Sequence, residues 1–191
     1  ATVQQLLGRL TTFSVNLVLA RLLVPEDFGV VAILNIFLAI SLTLADAGFA
    51  SSLARTEHLD EEDTSTVFYF NIAMGLLLYS ILFVAAPWIA DYFHNPLLVD
   101  VLRVQALSFV ISSLGSVPGI LLWRKMKFRQ ETYIQILQGM ISGGVGICMA
   151  LAGFRYWALV GLAITNAMTR AILLFYFSGW RPKLIFSKEH L

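Results

Sequence analysis

The 191 residues are 58% hydrophobic and only 13% charged, with a mean hydropathy of +0.78. A soluble domain carries about 25% charged residues and can bury one or two wholly apolar helices, not a chain that is apolar nearly throughout. The net charge of +1 gives no sign of a nucleic-acid partner, because the charges sit in polar links rather than on one face.

Six long apolar stretches follow one another: residues 3–23, 28–53, 65–90, 97–123, 133–154 and 156–177. As helices of roughly 20 residues or more, each covers about 30 Å, the thickness of a bilayer's hydrocarbon core. They do not alternate as barrel strands do, and helices and closed barrels are the elements that cross lipid with a satisfied backbone. The pattern predicts an all-α membrane protein with six transmembrane helices. Both ends of the chain read as cut from a longer sequence: Ala1 stands close to the first apolar run, and Trp180 onward resembles the start of a link.

Local signals place the boundaries. Pro25 suits the first position of the second helix, with Glu26 and Asp27 complementing the positive end of its dipole. Asp63, Thr64 or Ser65 is expected to cap the third, and Asn95-Pro96 to supply a cap and first-turn proline for the fourth. Trp88, Trp123, Trp157 and Trp180 all fall at stretch ends, where indoles favour the membrane interface. With the N-terminus inside, the cytoplasmic links hold Arg55, Arg124, Lys125, Lys127, Arg129, Arg181, Lys183 and Lys188. The opposite links hold Arg21, Arg103 and Arg155. The positive-inside rule therefore predicts that both termini are cytoplasmic.

No catalytic constellation is apparent. His58, His94 and His190 lie in three different links without ligand-spaced partners, so no metal site and no cofactor are expected. Gly143-Gly-Val-Gly146 lies deep in an apolar helix and follows no strand, which rules against a nucleotide loop. Together with Gly139 it reads as a small-residue face for close helix packing. Cys148, the single cysteine, is expected to pack as a small apolar residue. No nucleophile and base stand at a useful spacing, so an enzyme is not predicted.

The ionisable residues inside apolar stretches carry the functional signal, because such groups face a bundle interior or a wet cavity. Arg9 and Arg170 fall about 6 Å and about 5 Å to the cytoplasmic side of the midplane, and Asp46 about 8–12 Å from its span's centre. Two readings stand side by side. In one, Arg9 pairs with Asp46 and Arg170 snorkels to the surface. In the other, Arg9 and Arg170 form a cationic layer that draws an anionic substrate into a cytoplasm-facing cavity. Pro118-Gly119 predicts a kink, serving as a hinge or simply as packing, with Ser112, Ser113 and Ser116 near enough to satisfy the freed carbonyl. The basic and aromatic link 123–130 is expected to lie on the anionic inner leaflet.

Several segments resemble a known family in order and spacing. These are Leu19-Ala-Arg-Leu-Leu-Val-Pro-Glu-Asp-Phe-Gly29, Ala45-Asp-Ala-Gly48, Ala85-Ala-Pro-Trp-Ile-Ala90, Asn95-Pro96, and Val117-Pro118 followed by Leu122-Trp-Arg-Lys-Met-Lys-Phe128. They are similar to the bacterial polysaccharide (O-antigen and exopolysaccharide) flippases of the multidrug/oligosaccharidyl-lipid/polysaccharide exporter superfamily, over about residues 8–180. The resemblance implies two six-helix lobes around a central cavity, of which this chain matches the first. It also implies flipping of undecaprenyl-diphosphate-linked oligosaccharide across the bacterial inner membrane by alternating access. The implied partners are the lipid-linked substrate, membrane lipid and polysaccharide-assembly proteins. The family's cavity tends to be cationic, which favours Arg9 and Arg170 as substrate-path residues; Asp46 is left between ion coupling and packing. A drug or small-cation exporter of the same superfamily, or a non-transporting scaffold for polysaccharide assembly, are the alternatives.

Overall fold

The computed structural model describes residues 13–45, 61–124 and 128–180. Among the described residues there are six helices and no strand: α1 (Phe13–Leu22), α2 (Pro25–Ala45), α3 (Glu61–Tyr92), α4 (Leu97–Arg124), α5 (Phe128–Leu151) and α6 (Tyr156–Ser178). The protein is an all-α membrane protein. Helices α3 to α6, of 32, 28, 24 and 23 residues, are each long and apolar enough to cross a bilayer. Arg9, Asp46, the outer parts of the first two apolar stretches and the chain beyond Trp180 lie outside the described residues.

Several boundaries follow their sequence signals. Pro25 opens α2, where the missing N–H of proline costs nothing. The Asn95 side chain accepts a hydrogen bond from the Leu97 N–H at 3.2 Å, so Asn95 caps α4 with Pro96 in its first turn. At the end of α6, Gly179 takes the left-handed conformation (φ 65°) and its N–H donates to the Phe175 carbonyl, a turn that glycine adopts without a Cβ clash.

Three expectations are corrected. Helix α3 begins at Glu61, so Asp63, Thr64 and Ser65 lie inside it instead of capping it, and Thr64 and Ser65 are buried. Helix α4 runs to Arg124, and α5 begins at Phe128 rather than Tyr133. Cys148 is exposed on α5 and does not pack into the interior.

Helix α4 is central, packed extensively against α3 and α6, while α5 packs on α6. Four apolar clusters hold these seams. Ala86 and Ala90 of α3 meet Leu98, Val101 and Leu102 of α4 and Val160 of α6. Leu82 of α3 joins Ala106 and Phe109 of α4. Leu122, Ile134 and Leu174 bring α4, α5 and α6 together, and Leu19 of α1 and Leu23 just after it pack with Ala150 and Ala158. On the outside of α3, Leu77, Ile81, Val84 and Trp88 recur at three- and four-residue spacing and are all exposed, as a lipid-facing stripe should be.

Small residues set the close approaches, since van der Waals packing replaces the hydrophobic effect between helices in lipid. A Cβ on Gly143 would collide with the Val15 side chain of α1, and one on Gly146 would lie 3.0 Å from Leu162 Cδ1 of α6. Gly144, between them, faces open space. The glycine run is therefore a packing surface for two neighbours.

Polar ties join the ends and seams. Arg155, at the entrance of α6 with φ 46°, places its Nε 3.4 Å from Oδ1 of buried Asp27 in the first turn of α2. Asp27 Oδ2 also accepts from the Val24 N–H at 3.4 Å, so one carboxylate caps its own helix and ties the α1–α2 turn to the α5–α6 turn. Between α3 and α4, the Asn71 amide donates to Ser116 Oγ at 3.0 Å. Between α5 and α6, Asn166 donates to Ser142 Oγ, which donates to the Gln138 carbonyl at 2.6 Å. The opposite end carries an aromatic cluster in which Phe68 of α3 meets Phe175 and Trp180 edge-on, with ring centroids 6.1 and 5.3 Å apart.

Candidate functional site

A cavity of about 580 Å³ opens where the C-terminal half of α4, the first turn of α5 and the second half of α6 converge. Its walls combine small residues (Gly115, Gly119, Ala167, Ala171) with Ser112, Ser116, Ile120 and Trp123, and with three charged side chains, Arg124, Glu131 and Arg170. Small residues leave the space. On α4 they recur at 112, 115, 116 and 119, which is one face of a helix.

Arg170 therefore lines a cavity. Its side chain is 46% exposed, and Nη2 donates to Glu131 Oε1 at 3.1 Å. The Glu131 side chain is only 17% exposed and stands in the first turn of α5, where a carboxylate complements the helix dipole. The contact is a charge-assisted hydrogen bond between two helices at the cavity wall. Neither earlier picture of Arg170 included an anionic partner from α5. The signal that points to it is an acid in the first turn of a helix that starts at Phe128; with the start placed at Tyr133, Glu131 reads as link.

The other candidates divide. Arg9 and Asp46 lie outside the described residues. Pro118 is fully buried within α4, and Gly119 is on the cavity wall, where a Cβ would meet Leu174 Cδ1 at 3.6 Å. Proline removes the hydrogen bond that the Leu114 carbonyl would accept. The nearby hydroxyls serve other groups: Ser113 Oγ donates to the Val110 carbonyl and Ser116 Oγ to the Ser113 carbonyl, at 2.8 and 2.9 Å. The expectation that these serines re-satisfy the freed carbonyl is corrected accordingly. Ser116 also takes the Asn71 bond, so its place in the cavity wall is fixed from α3.

Chemically, the site can hold an anion or a polyhydroxylated group. Two guanidinium groups supply planar arrays of N–H donors, the serines supply hydroxyls, and the apolar remainder keeps the local dielectric low. Among the described residues, no group of three His, Cys, Asp or Glu side chains is placed to bind a metal ion.

Comparisons with known proteins agree with this architecture. A family model described as "Polysaccharide biosynthesis protein" matches residues 18–191. The chain is 29% identical over 174 residues to the succinoglycan biosynthesis transport protein ExoT of Rhizobium meliloti, covering 91% of this chain and 35% of that protein. It is 28% identical over 146 residues to the teichuronic acid biosynthesis protein TuaB of Bacillus subtilis, covering 74% and 30%. The lipopolysaccharide biosynthesis protein WzxC of Escherichia coli is 25% identical over 176 residues, covering 89% and 35%. The chain thus spans about a third of the length of the curated relatives it matches. No solved structure matches it. With the family model extending over nearly every residue and the helical membrane fold beneath it, the chain belongs to the polysaccharide biosynthesis protein family.

Proposed function

We propose that this chain is the N-terminal six-helix lobe of a transporter that flips a polyprenyl-diphosphate-linked oligosaccharide across the bacterial inner membrane. The observation that carries the reading is the cavity bearing Arg124 and Arg170 in a chain related to a succinoglycan transport protein. The basic residues of the α4–α5 link and of the chain after α6 support a cytoplasmic position for the cavity end. Arginine at that end attracts the diphosphate, the hydroxyl-lined wall receives sugars, and the polyprenyl tail stays in lipid. In transporters built from parallel repeats the substrate lies between the lobes, so this wall faces a second lobe and transport is a property of the complete protein. Pro118 and Gly119 act as the hinge of α4 in the rocking motion, and the protein is a carrier rather than an enzyme.

The test is reconstitution of the protein from its full reading frame into vesicles carrying a fluorescent polyprenyl-diphosphate oligosaccharide. Faster leaflet exchange than in protein-free vesicles supports the reading. Exchange at the protein-free rate for every sugar tried contradicts it.

A further inference from the structure

A cavity that only attracted anions would also retain them, whereas a carrier must bind tightly enough to load and weakly enough to unload. The Glu131 carboxylate already occupies one donor of the Arg170 guanidinium, at 3.1 Å. Carboxylates and phosphates are the groups that match the guanidinium fork, so this oxygen stands where a phosphate oxygen would otherwise bind. The exposures are unequal in a useful sense. The Arg170 side chain, on the cavity wall, is 46% exposed, while Glu131 is sheltered at 17%. A ligand can reach Arg170 without first reaching Glu131.

The contact is redundant as a structural tie. Helices α5 and α6 are already joined by Ile134 with Leu174, by the Asn166–Ser142 bond and by the close approach of Leu162 to Gly146. Those contacts hold the two helices without the ion pair, so its carboxylate can be exchanged for another anion while the seam stays closed.

We propose that Glu131 is a resident counter-ion that competes with the substrate's diphosphate for Arg170, weakening the loaded state so that the headgroup can leave. The inference rests on the reading of the cavity as a lipid-diphosphate site and deepens it. On loading, the diphosphate takes the guanidinium and displaces the carboxylate. On unloading, Glu131 returns to Arg170, so the empty cavity never presents an unpartnered cation at that position to the anionic phospholipids of the bilayer.

The experiment titrates farnesyl diphosphate, with inorganic pyrophosphate in parallel, into the protein made from its full reading frame in nanodiscs of neutral lipid. Glu131→Gln is expected to tighten farnesyl diphosphate binding about tenfold. Arg170→Gln is expected to abolish binding in both the native and the Glu131→Gln backgrounds. Glu131→Asp keeps the charge at shorter reach and should give an intermediate gain, which keeps the test decisive where the glutamine variant accumulates poorly. The same order of affinities with inorganic pyrophosphate supports competition at the diphosphate itself; a gain confined to pyrophosphate overturns the assignment to a lipid headgroup. Native protein that binds through Arg170, with Glu131→Gln no tighter, overturns the role of Glu131 and leaves the transport reading standing. Absence of diphosphate binding in the native protein and in Glu131→Gln overturns both.

Discussion

Arg170 and Glu131, 39 positions apart in the chain, meet at 3.1 Å across the α5–α6 seam, and both line the cavity. That relationship gives an arginine within an apolar helix an anionic partner, and an ionisable group in lipid persists only where a partner or water receives it.

The glycine run on α5 gives a sharp stability contrast. Gly143→Ala brings a methyl group against Val15, and Gly146→Ala brings one to 3.0 Å from Leu162, whereas Gly144→Ala meets open space. Thermal unfolding in detergent should show Gly143→Ala destabilised by about 1–3 kcal/mol, as for overpacking. Gly144→Ala should fall within about 0.5 kcal/mol of the native protein.

The Asp27–Arg155 tie should be asymmetric. Asp27→Ala removes both an ion pair and a helix cap from a buried site and should cost about 1–2 kcal/mol. Arg155→Ala leaves the buried Asp27 carboxylate without its cation and should cost more, about 2–3 kcal/mol. Equal losses in chemical denaturation would contradict this division.

The Asn71–Ser116 bond is expected to couple α3 to the cavity wall. A double-mutant cycle with Asn71→Leu and Ser116→Ala should return a coupling of about 0.6 kcal/mol, with about 1.7 kcal/mol as the ceiling seen between membrane helices.

Pro118→Ala restores an N–H opposite the Leu114 carbonyl and stiffens α4. If Pro118 and Gly119 form a hinge, the variant should accumulate normally and transport several-fold more slowly, a change typical of altered gating steps. Unchanged transport in a leaflet-exchange assay would leave the proline as packing.

How far the sequence could be read follows from the range of each interaction. Signals confined to one turn were legible: Pro25 opens α2, Asn95 caps α4, and Trp123, Trp157 and Trp180 stand at or beside helix ends. Thr64 and Ser65 misled because residues that cap well are also tolerated inside a helix whose packing buries them, and tertiary contact outweighs their weak preference. The Arg170–Glu131 pair was not legible, since it depends on how α5 and α6 are rotated against each other. Hydropathy sets length and depth but not rotation. The same limit applied to Cys148, whose place on α5 was evident but whose face was not.

The central claim is that Arg170 receives the substrate's diphosphate. Its most direct test expresses the full reading frame in cells lacking their own flippase and measures outward display of the lipid-linked oligosaccharide. The native protein should restore display, and Arg170→Gln should abolish it at equal abundance in the membrane. Full display by Arg170→Gln would contradict that claim.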